Sequence, residues 1–239
     1  MVDIDEKALI QRAGVLVSND HLIYKSGQHG DKYLNKEHLV RLNAIEMVAL
    51  LEKMAFNFCR VEQIIPYGGE IGVLGPAMGA IPYALTVASK LQRYFDGAAR
   101  FFPARTELKT LPDGKKTHHF PEKLLAEYRG KKIIIVEDIV NAGTTIREVA
   151  SLCRKKLGND SVLAAMCLME RGGQTASSLG ILSFHPLMVT PMPQHKPENC
   201  PLCKAGIPIN IILGKGERWV NLFGQPPYPP GTDFSAFWK

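Results

Sequence analysis

The stretch KIIIVEDIVNAGTT, which runs from Lys132 to Thr145, decides the fold of this 239-residue chain. The four branched apolar residues at 133–136 are typical of a strand that is covered on both faces within a parallel sheet. Two acids and a turn of small residues follow, and then a helical pattern at 144–157 whose apolar side chains fall on one face. This order predicts an α/β domain whose ligands bind beyond the carboxyl ends of parallel strands.

Strand and helix patterns alternate on both sides of this stretch. The apolar runs predict further strands at 71–74, 98–102, 162–168 and 181–189. The helical periodicity predicts helices at 44–58 and 81–94. Right-handed crossovers then give a mostly parallel central sheet with helices on both faces. Outside this rhythm, we expect an N-terminal segment (1–40) and a proline-rich, irregular C-terminal tail (191–239) packed on the α/β core (41–190).

The composition is that of an ordinary globular protein, with 46% hydrophobic and 22% charged residues. No apolar run approaches the roughly 20 residues that a membrane-spanning helix needs, so we expect no contact with a membrane. Residues 1–11 carry neither the basic leader nor the apolar stretch of a secretory signal. These features favour a cytoplasmic protein.

The positive net charge, +6 with a pI near 9.0, raises the question of a nucleic-acid partner. The densest basic stretch runs from Lys109 to His119, and it reads as a mobile, solvated loop around Pro112, Asp113 and Gly114. A small substrate rich in phosphate attracts positive charge as well as a nucleic acid does. We therefore expect no nucleic-acid partner.

The five cysteines form no dense disulfide framework, and their odd number argues against one. Cys200 and Cys203 make a single CxxC. That pair could supply half of a zinc site, with His185 or His195 as further ligands, but a tetrahedral site needs four ligands and there is no second CxxC. A reduced structural turn is the alternative.

The acids and hydroxyls of the deciding stretch predict a sugar-phosphate site. Glu137 and Asp138 follow a buried strand, where they face the ligand edge of the sheet. Small residues then let the backbone approach a ligand closely. Thr144 and Thr145 open a helix, whose free N–H groups and dipole favour a phosphate. The alternative is that the acids and Thr144 only cap the segments beside them.

This stretch resembles the loop that binds 5-phosphoribosyl 1-pyrophosphate (PRPP) in the type I phosphoribosyltransferases. The resemblance implies that Glu137 and Asp138 hold the ribose hydroxyls. It also implies that a turn of five residues cradles the 5-phosphate: Asn141, Ala142, Gly143, Thr144 and Thr145. The family often has threonine where Asn141 stands. The implied fold is that of the family, with a small hood formed by the N-terminal segment.

The segment from Tyr24 to Asn35 resembles the N-terminal segment of the orotate phosphoribosyltransferases. The resemblance implies that Lys25 contacts the diphosphate of PRPP, and that Tyr33 and Leu34 lie against the pyrimidine. Taken alone, Lys-Ser-Gly is only a basic turn, and such turns are common.

Two further phrases keep the order of that family. Residues 75–82 resemble the loop that receives pyrophosphate through backbone N–H groups, which implies roles for Ala77, Met78 and Gly79, although family members often carry a basic residue where Gly79 stands. Arg171 ends a predicted strand, where an arginine of the family pairs with the orotate carboxylate, a task that its planar fork suits. The alternatives are a plain turn and a surface salt bridge to Glu170.

Residues 105–119 resemble the flexible catalytic loop of the family. Arg105 and Lys109 match its basic positions. The match is incomplete, because Thr106 and Leu111 stand where lysine and histidine are often found. A solvated surface loop is the alternative.

Together, the resemblances imply a glycosyltransferase that moves the phosphoribosyl group of PRPP to orotate. Lys109, Arg105 and Asp138 would be the catalytic residues, and Mg²⁺ would be bound mainly through PRPP, with no direct protein ligand assigned. A homodimer is implied because the loop of the family commonly reaches the neighbouring subunit. Two alternatives stay open: a phosphoribosyltransferase for a purine or uracil, and a PRPP-sensing regulatory protein without turnover.

Overall fold

A computed structural model describes residues 4–61 and 65–238 of the chain. The helices are α1 (Glu6–Arg12), α2 (Ala44–Val61), α3 (Ile81–Tyr94), α4 (Glu122–Tyr128), α5 (Thr144–Leu157), α6 (Ala176–Leu179), α7 (Pro201–Lys204) and α8 (Gly216–Phe223). The strands are β1 (Leu16–Ile23), β2 (His29–Leu34), β3 (Gly69–Gly75), β4 (Ala99–Arg105), β5 (Glu107–Thr110), β6 (Lys116–His119), β7 (Lys132–Val140), β8 (Val162–Glu170) and β9 (Ser183–Val189). Short 3-10 helices cover Lys36–Arg41, Pro197–Asn199 and Ser235–Trp238.

The chain divides into two compact units. Of the described residues, the first unit contains Ala44–Pro191 with Ile4, and the second contains Asp5–Asn43 with residues 192–238. The first unit holds the central sheet, and the second unit joins the N-terminal segment to the C-terminal tail.

The sheet of the first unit has the order β4-β3-β7-β8-β9, and every pair in it is parallel. This confirms the predicted α/β fold with a parallel central sheet flanked by helices. β7 lies in the middle, and its branched residues at 133–136 are fully buried. β7 also extends beyond the predicted end at residue 136, because β8 is equally long and pairs with it as far as Val140 and Glu170. The two acids therefore stand on the paired end of the strand.

Alternation along β7 divides its side chains between the two faces of the sheet. Ile133 and Ile135 pack in one core cluster with Ile146 and Val149, which lie on the apolar face of α5. Burying each such side chain stabilises the fold by about 1.5–3 kcal/mol. This packing confirms the predicted apolar face of α5 and holds the helix against β7.

The basic stretch at 109–119 lies in a β-hairpin, so it has regular secondary structure where the sequence predicted a loop. β5 and β6 pair antiparallel, with Glu107 opposite His119. The turn suits a hairpin, because Gly114 has a φ of +80° and Asp113 Oδ1 accepts a hydrogen bond of 2.9 Å from Lys115 N–H. Glu148 of α5 holds β6 by accepting from His118 N–H at 3.0 Å.

The second unit is built on a hairpin and a small aromatic core. β1 and β2 pair antiparallel, with Ile23 opposite His29. Trp219 of α8 is fully buried and packs against Phe234 and Phe237. The tail is therefore less irregular than expected, because α8 has enough apolar residues to form the centre of this core. Among the described residues, no helix is long and apolar enough to cross a membrane.

Candidate active site

A pocket opens at the carboxyl end of β7. It has a volume of about 240 Å³ and is lined by Glu137 and by residues 139–146, including the whole predicted turn. Asp138 is not one of its lining residues. Asn141, Ala142 and Thr144 are exposed, and Thr145 is half-buried. The turn thus faces solvent, as a phosphate-binding turn must, and it is the start of α5 that forms the floor of the pocket.

Gly143 caps α5 in a conformation that favours glycine. Its φ is +70°, in the left-handed region. A Cβ added there would lie 2.3 Å from Leu179 Cδ2. The first backbone hydrogen bond into α5 runs from Arg147 N–H to Gly143 O at 3.0 Å. The N–H groups of the first turn before it have no intrahelical acceptor, so they are available to an anion.

The two acids at the end of β7 are both half-buried. Glu137 lines the pocket, whereas Asp138 lies beside the loop after β3. Each takes a backbone hydrogen bond from the residue after it: Asp138 N–H donates to Glu137 Oε1 at 3.1 Å, and Ile139 N–H donates to Asp138 Oδ1 at 2.6 Å. These bonds orient one oxygen of each carboxylate. They are local bonds of the kind that the capping alternative invokes, yet both side chains remain partly accessible to a ligand.

The loop after β3 faces the same acids. A Cβ added to Gly79 would lie 3.9 Å from Asp138 Oδ2, so the predicted pyrophosphate loop and the acid pair are neighbours. Met78 beside it is 79% exposed, and the peptide bond between Ala77 and Met78 is cis. A larger side chain at position 79 would contact the Asp138 carboxylate.

Tyr83 of α3 is a neighbour of the acid pair that the sequence did not reveal. Burial raises the pKa of its phenol, and the negative charges of Asp138 and Glu137 raise it further. The phenol therefore stays protonated and can donate a hydrogen bond near the acid pair. In the sequence, Tyr83 belongs to an ordinary helical pattern, which does not indicate that its side chain lies near the acid pair.

Thr106, which departs from the family pattern, is fully buried between the loop after β3 and the hairpin. Its Oγ1 accepts from Ala77 N–H at 3.3 Å and lies 2.9 Å from His118 Nδ1. Burial lowers the pKa of His118, so its ring is neutral near pH 7. The hydroxyl thus connects the loop after β3 to the hairpin. A long charged side chain at this buried position would cost free energy, because its charge would be removed from water.

Arg105 and Lys109 border a second, larger hollow of about 510 Å³. Glu107 and His119 line it too, and Arg105 Nη2 lies 3.4 Å from Glu107 Oε1. The structure therefore brings the two predicted catalytic cations together. The lining of this hollow shares no residue with that of the pocket around the turn.

Arg171 lies directly beside the turn. Its N–H donates to Val140 O at 3.0 Å, and a Cβ on Gly172 would lie 2.1 Å from Asn141 O. The buried Glu170 carboxylate accepts hydrogen bonds from the N–H groups of Gly172 and Gln174 at 2.7 and 2.9 Å. Glu170 thus shapes the backbone after β8, and glycine at 172 lets the two loops touch.

The predicted N-terminal site residues belong to the second unit. Lys25 is exposed in the turn between β1 and β2, Tyr33 is half-buried and Leu34 is buried, both at the end of β2. Gly27 has a φ of +74°, and a Cβ there would lie 2.6 Å from Trp238. The turn that carries Lys25 is therefore packed under the aromatic end of the tail.

Comparisons with known proteins agree with this geometry. The family model described as "Phosphoribosyl transferase domain" matches residues 61–179, which include the turn, the loop after β3 and the hairpin. The orotate phosphoribosyltransferase of Thermotoga maritima is 28% identical over 218 residues, covering 89% of this chain and 99% of the relative. That of Pelotomaculum thermopropionicum is 29% identical over 202 residues, covering 84% and 92%.

A solved structure shares this fold. A crystal structure of adenine phosphoribosyltransferase superposes with a TM-score of 0.51 at 16% identity, covering 77% of this chain and 99% of the other. The orotate phosphoribosyltransferase of Aeropyrum pernix gives a TM-score of 0.48 at 16% identity, covering 77% and 94%. The family match and the adenine phosphoribosyltransferase superposition confirm the expected type I phosphoribosyltransferase fold.

Proposed function

Because this chain belongs to the phosphoribosyltransferase family and is a PRPP-dependent transferase, we propose that the base it uses is orotate. The observation that carries the proposal is the solvent-facing pocket lined by Glu137 and by the turn at the N-terminus of α5, with Asp138 next to Glu137 in β7. The relatives named orotate phosphoribosyltransferase, which this chain matches over most of their length, support the choice of base.

The proposed reaction gives orotidine 5'-monophosphate and pyrophosphate. The bond between C1 of the ribose and the diphosphate oxygen breaks, and its electron pair leaves with pyrophosphate. N1 of the deprotonated base then forms the new bond to C1. Positive charge grows on the ribose and negative charge grows on the diphosphate, so catalysis requires fixed charges and the exclusion of water.

The residues of the pocket take their roles from this charge pattern. The turn at 141–145 holds the 5-phosphate through N–H groups and hydroxyls. Glu137 and Asp138 accept hydrogen bonds from the ribose hydroxyls, and Asp138 stabilises the positive ribose. The N–H groups of residues 77–79 receive the diphosphate opposite Asp138.

The cations act on the leaving group. Arg105 at the end of β4 and Lys109 on the hairpin neutralise the diphosphate. The resemblance of residues 24–35 assigns the same task to Lys25. The hollow that contains Arg105 and Lys109 is separate from the pocket lining, which fits a hairpin that serves the site of a neighbouring subunit in a homodimer. We propose that Lys109 acts in this way.

Magnesium fits the donor set of this site. The half-buried carboxylates of Glu137 and Asp138 are hard oxygen donors, the type that Mg²⁺ prefers, and the metal would be carried in mainly by PRPP. When bound, it would neutralise part of the diphosphate charge. The protein's contribution is to orient PRPP against the carboxylates.

Recognition of the base rests on the acidic character of orotate. Arg171 follows β8 beside the turn, and its guanidinium can form a bidentate pair with the orotate carboxylate. Tyr33 and Leu34 would contact the ring. A base without a carboxylate lacks this pair, so it should be used much more slowly.

The test is a panel of bases with PRPP and Mg²⁺, measured as pyrophosphate release. We expect release with orotate and at least about tenfold less with adenine, guanine, hypoxanthine or uracil, the loss of one charged pair. Activity with one of those bases instead of orotate would identify another phosphoribosyltransferase. Tight PRPP binding in calorimetry with no release for any base would indicate a sensor and overturn the proposal.

A further inference from the structure

Four potential metal ligands meet in the interior of the second unit. His21 and His29 come from the β1–β2 hairpin, and Cys200 and Cys203 come from the CxxC of the tail. All four residues are buried, and one donor atom from each lies within 4.8 Å of the other three. The cluster belongs to neither the pocket nor the hollow of the first unit.

The topology of the second unit explains why the histidines converge. Ile23 is opposite His29 in the antiparallel register, and His21 lies two residues before Ile23 on the same face of β1. The two imidazoles are therefore diagonal neighbours on one face of the hairpin. The tail is attached to this hairpin, since His29 and His195 exchange two backbone hydrogen bonds of 2.8 Å.

Four of the six donor separations are close to those of a tetrahedral metal site, and all six are within 4.8 Å. With Zn–N bonds of about 2.0–2.1 Å and Zn–S bonds of about 2.3 Å, tetrahedral ligands lie about 3.4 Å apart for two nitrogens and about 3.6 Å apart for nitrogen and sulfur. Here, His21 Nε2 lies 3.1 Å from His29 Nδ1 and 3.6 Å from both sulfurs. His29 Nδ1 lies 3.2 Å from Cys203 Sγ.

A second shell orients His21. Its Nδ1 lies 2.6 Å from Ile207 O, so this nitrogen carries the proton and donates to the carbonyl. The lone pair of Nε2 then points into the cluster. A ligating histidine that donates its other N–H to a backbone carbonyl is the usual arrangement at zinc sites. The Ile207 carbonyl lies just after the CxxC in the chain, so one short segment supplies both the thiols and the orienting acceptor.

We propose that His21, His29, Cys200 and Cys203 form a structural site for a zinc-class divalent cation. Two thiolates and two imidazoles select such a metal, and a closed set of four protein ligands leaves no open position for catalysis. The histidines considered from the sequence alone, His185 and His195, do not supply the missing ligands. His185 belongs to β9 of the first unit, and His195 contributes backbone hydrogen bonds.

The site would fasten the tail to the hairpin that carries Lys25 and Tyr33. The aromatic core of this unit is small, and small cores commonly need a metal or a disulfide for stability. The metal would act through the fold of this unit and would take no part in the phosphoribosyl transfer. The rival explanation is a redox-active dithiol, in which Cys200 and Cys203 cycle between thiols and a disulfide.

The experiment measures the metal content of the full chain, purified after expression in medium supplemented with zinc. We expect about one zinc per chain. Cys203→Ser and His29→Asn should lower that content at least tenfold. Cys59→Ser and His195→Asn are matched controls, because they remove a thiol and an imidazole outside the cluster, and they should keep the metal. Cobalt(II) added to stripped wild-type protein should give the intense absorption of tetrahedral thiolate ligation.

A variant that fails to fold would not decide the matter, so the wild-type chain provides a second readout. A mercurial reagent that blocks thiols should release one equivalent of zinc to a chromogenic chelator, and stripping should lower the unfolding midpoint. The proposal is overturned if the wild-type chain neither contains metal nor takes up Zn²⁺ or Co²⁺. It is equally overturned if Cys200 and Cys203 are found as a disulfide in active, metal-free protein.

Discussion

Replacing Gly143 by alanine tests whether the turn before α5 forms the phosphate site. The left-handed backbone at this residue costs alanine about 1–2 kcal/mol. The added Cβ would also meet Leu179 Cδ2 at 2.3 Å, and such overpacking costs about 1–3 kcal/mol more. Either Leu179 or the turn must move. If the turn moves, the N–H groups at the start of α5 lose their common direction, and the KM for PRPP should rise at least about tenfold, equivalent to about 1.4 kcal/mol.

Gly130→Ala is the matched control, because Gly130 has a φ of +72° and a Cβ there would have no atom within 4 Å. Both variants carry the backbone cost, and only Gly143→Ala carries the contact. For a chain of this size, 1 kcal/mol shifts the midpoint of thermal unfolding by about 2–4 °C. Gly143→Ala should therefore unfold about 2–12 °C below Gly130→Ala. Equal midpoints and an unchanged KM for PRPP would refute this explanation of the turn.

Three further predictions concern the hairpin and the ion pair between α2 and α3. Lys109→Ala should lower kcat at least about a hundredfold with little change in PRPP binding. Mixing this variant with inactive Asp138→Asn subunits should restore part of the activity. A kcat within twofold of wild type would reject the role of Lys109. Thr106→Val should destabilise the fold by about 1–3 kcal/mol, measured by urea unfolding, because it removes a buried acceptor; Thr106→Ser is the control and should keep most of that stability. The hydrogen bond from Lys90 lowers the pKa of Glu52, so this carboxylate contributes stability above its ordinary pKa of 4.5, and that stability is lost as pH falls through the lowered pKa. Urea unfolding from pH 7 to pH 2 should therefore show the difference in unfolding free energy between wild type and Glu52→Gln becoming smaller at acid pH. A difference that stays constant would contradict this prediction.

The sequence predicted the parts of the fold that depend on local hydrophobic pattern. The five strands of the sheet were predicted from apolar runs, and the helices α2, α3 and α5 were predicted from helical periodicity. Each was found within a few residues of its predicted position. The hairpin at 107–119 was missed because its strands are short and polar. It depends on the Pro-Asp-Gly turn and on the distant acceptor Glu148, which no local pattern reveals.

The candidate site was predictable where its residues are consecutive. The turn at 141–145 follows the acids directly, so one motif predicted both. Tyr83 and Thr106 were missed because their roles arise from contacts between separate elements. The same reason applies to the metal cluster, since His21 and Cys200 are 179 residues apart and only the folded tail brings them together.

The departure at Thr106 also bears on how the hairpin works. Thr106 and Glu148 fix the base of the hairpin to the loop after β3 and to α5, whereas Lys109 and Lys115 near its tip are exposed. A hairpin held at its base can change its angle without unfolding, because the β5–β6 hydrogen bonds move with it. We therefore expect closure over the diphosphate to be a hinge motion of an ordered hairpin, with less entropy lost than in the ordering of a flexible loop. Amide hydrogen exchange checks this directly: the N–H groups that pair β5 with β6 should be protected before PRPP is added, and protection that appears only with PRPP would show that the segment is disordered when free.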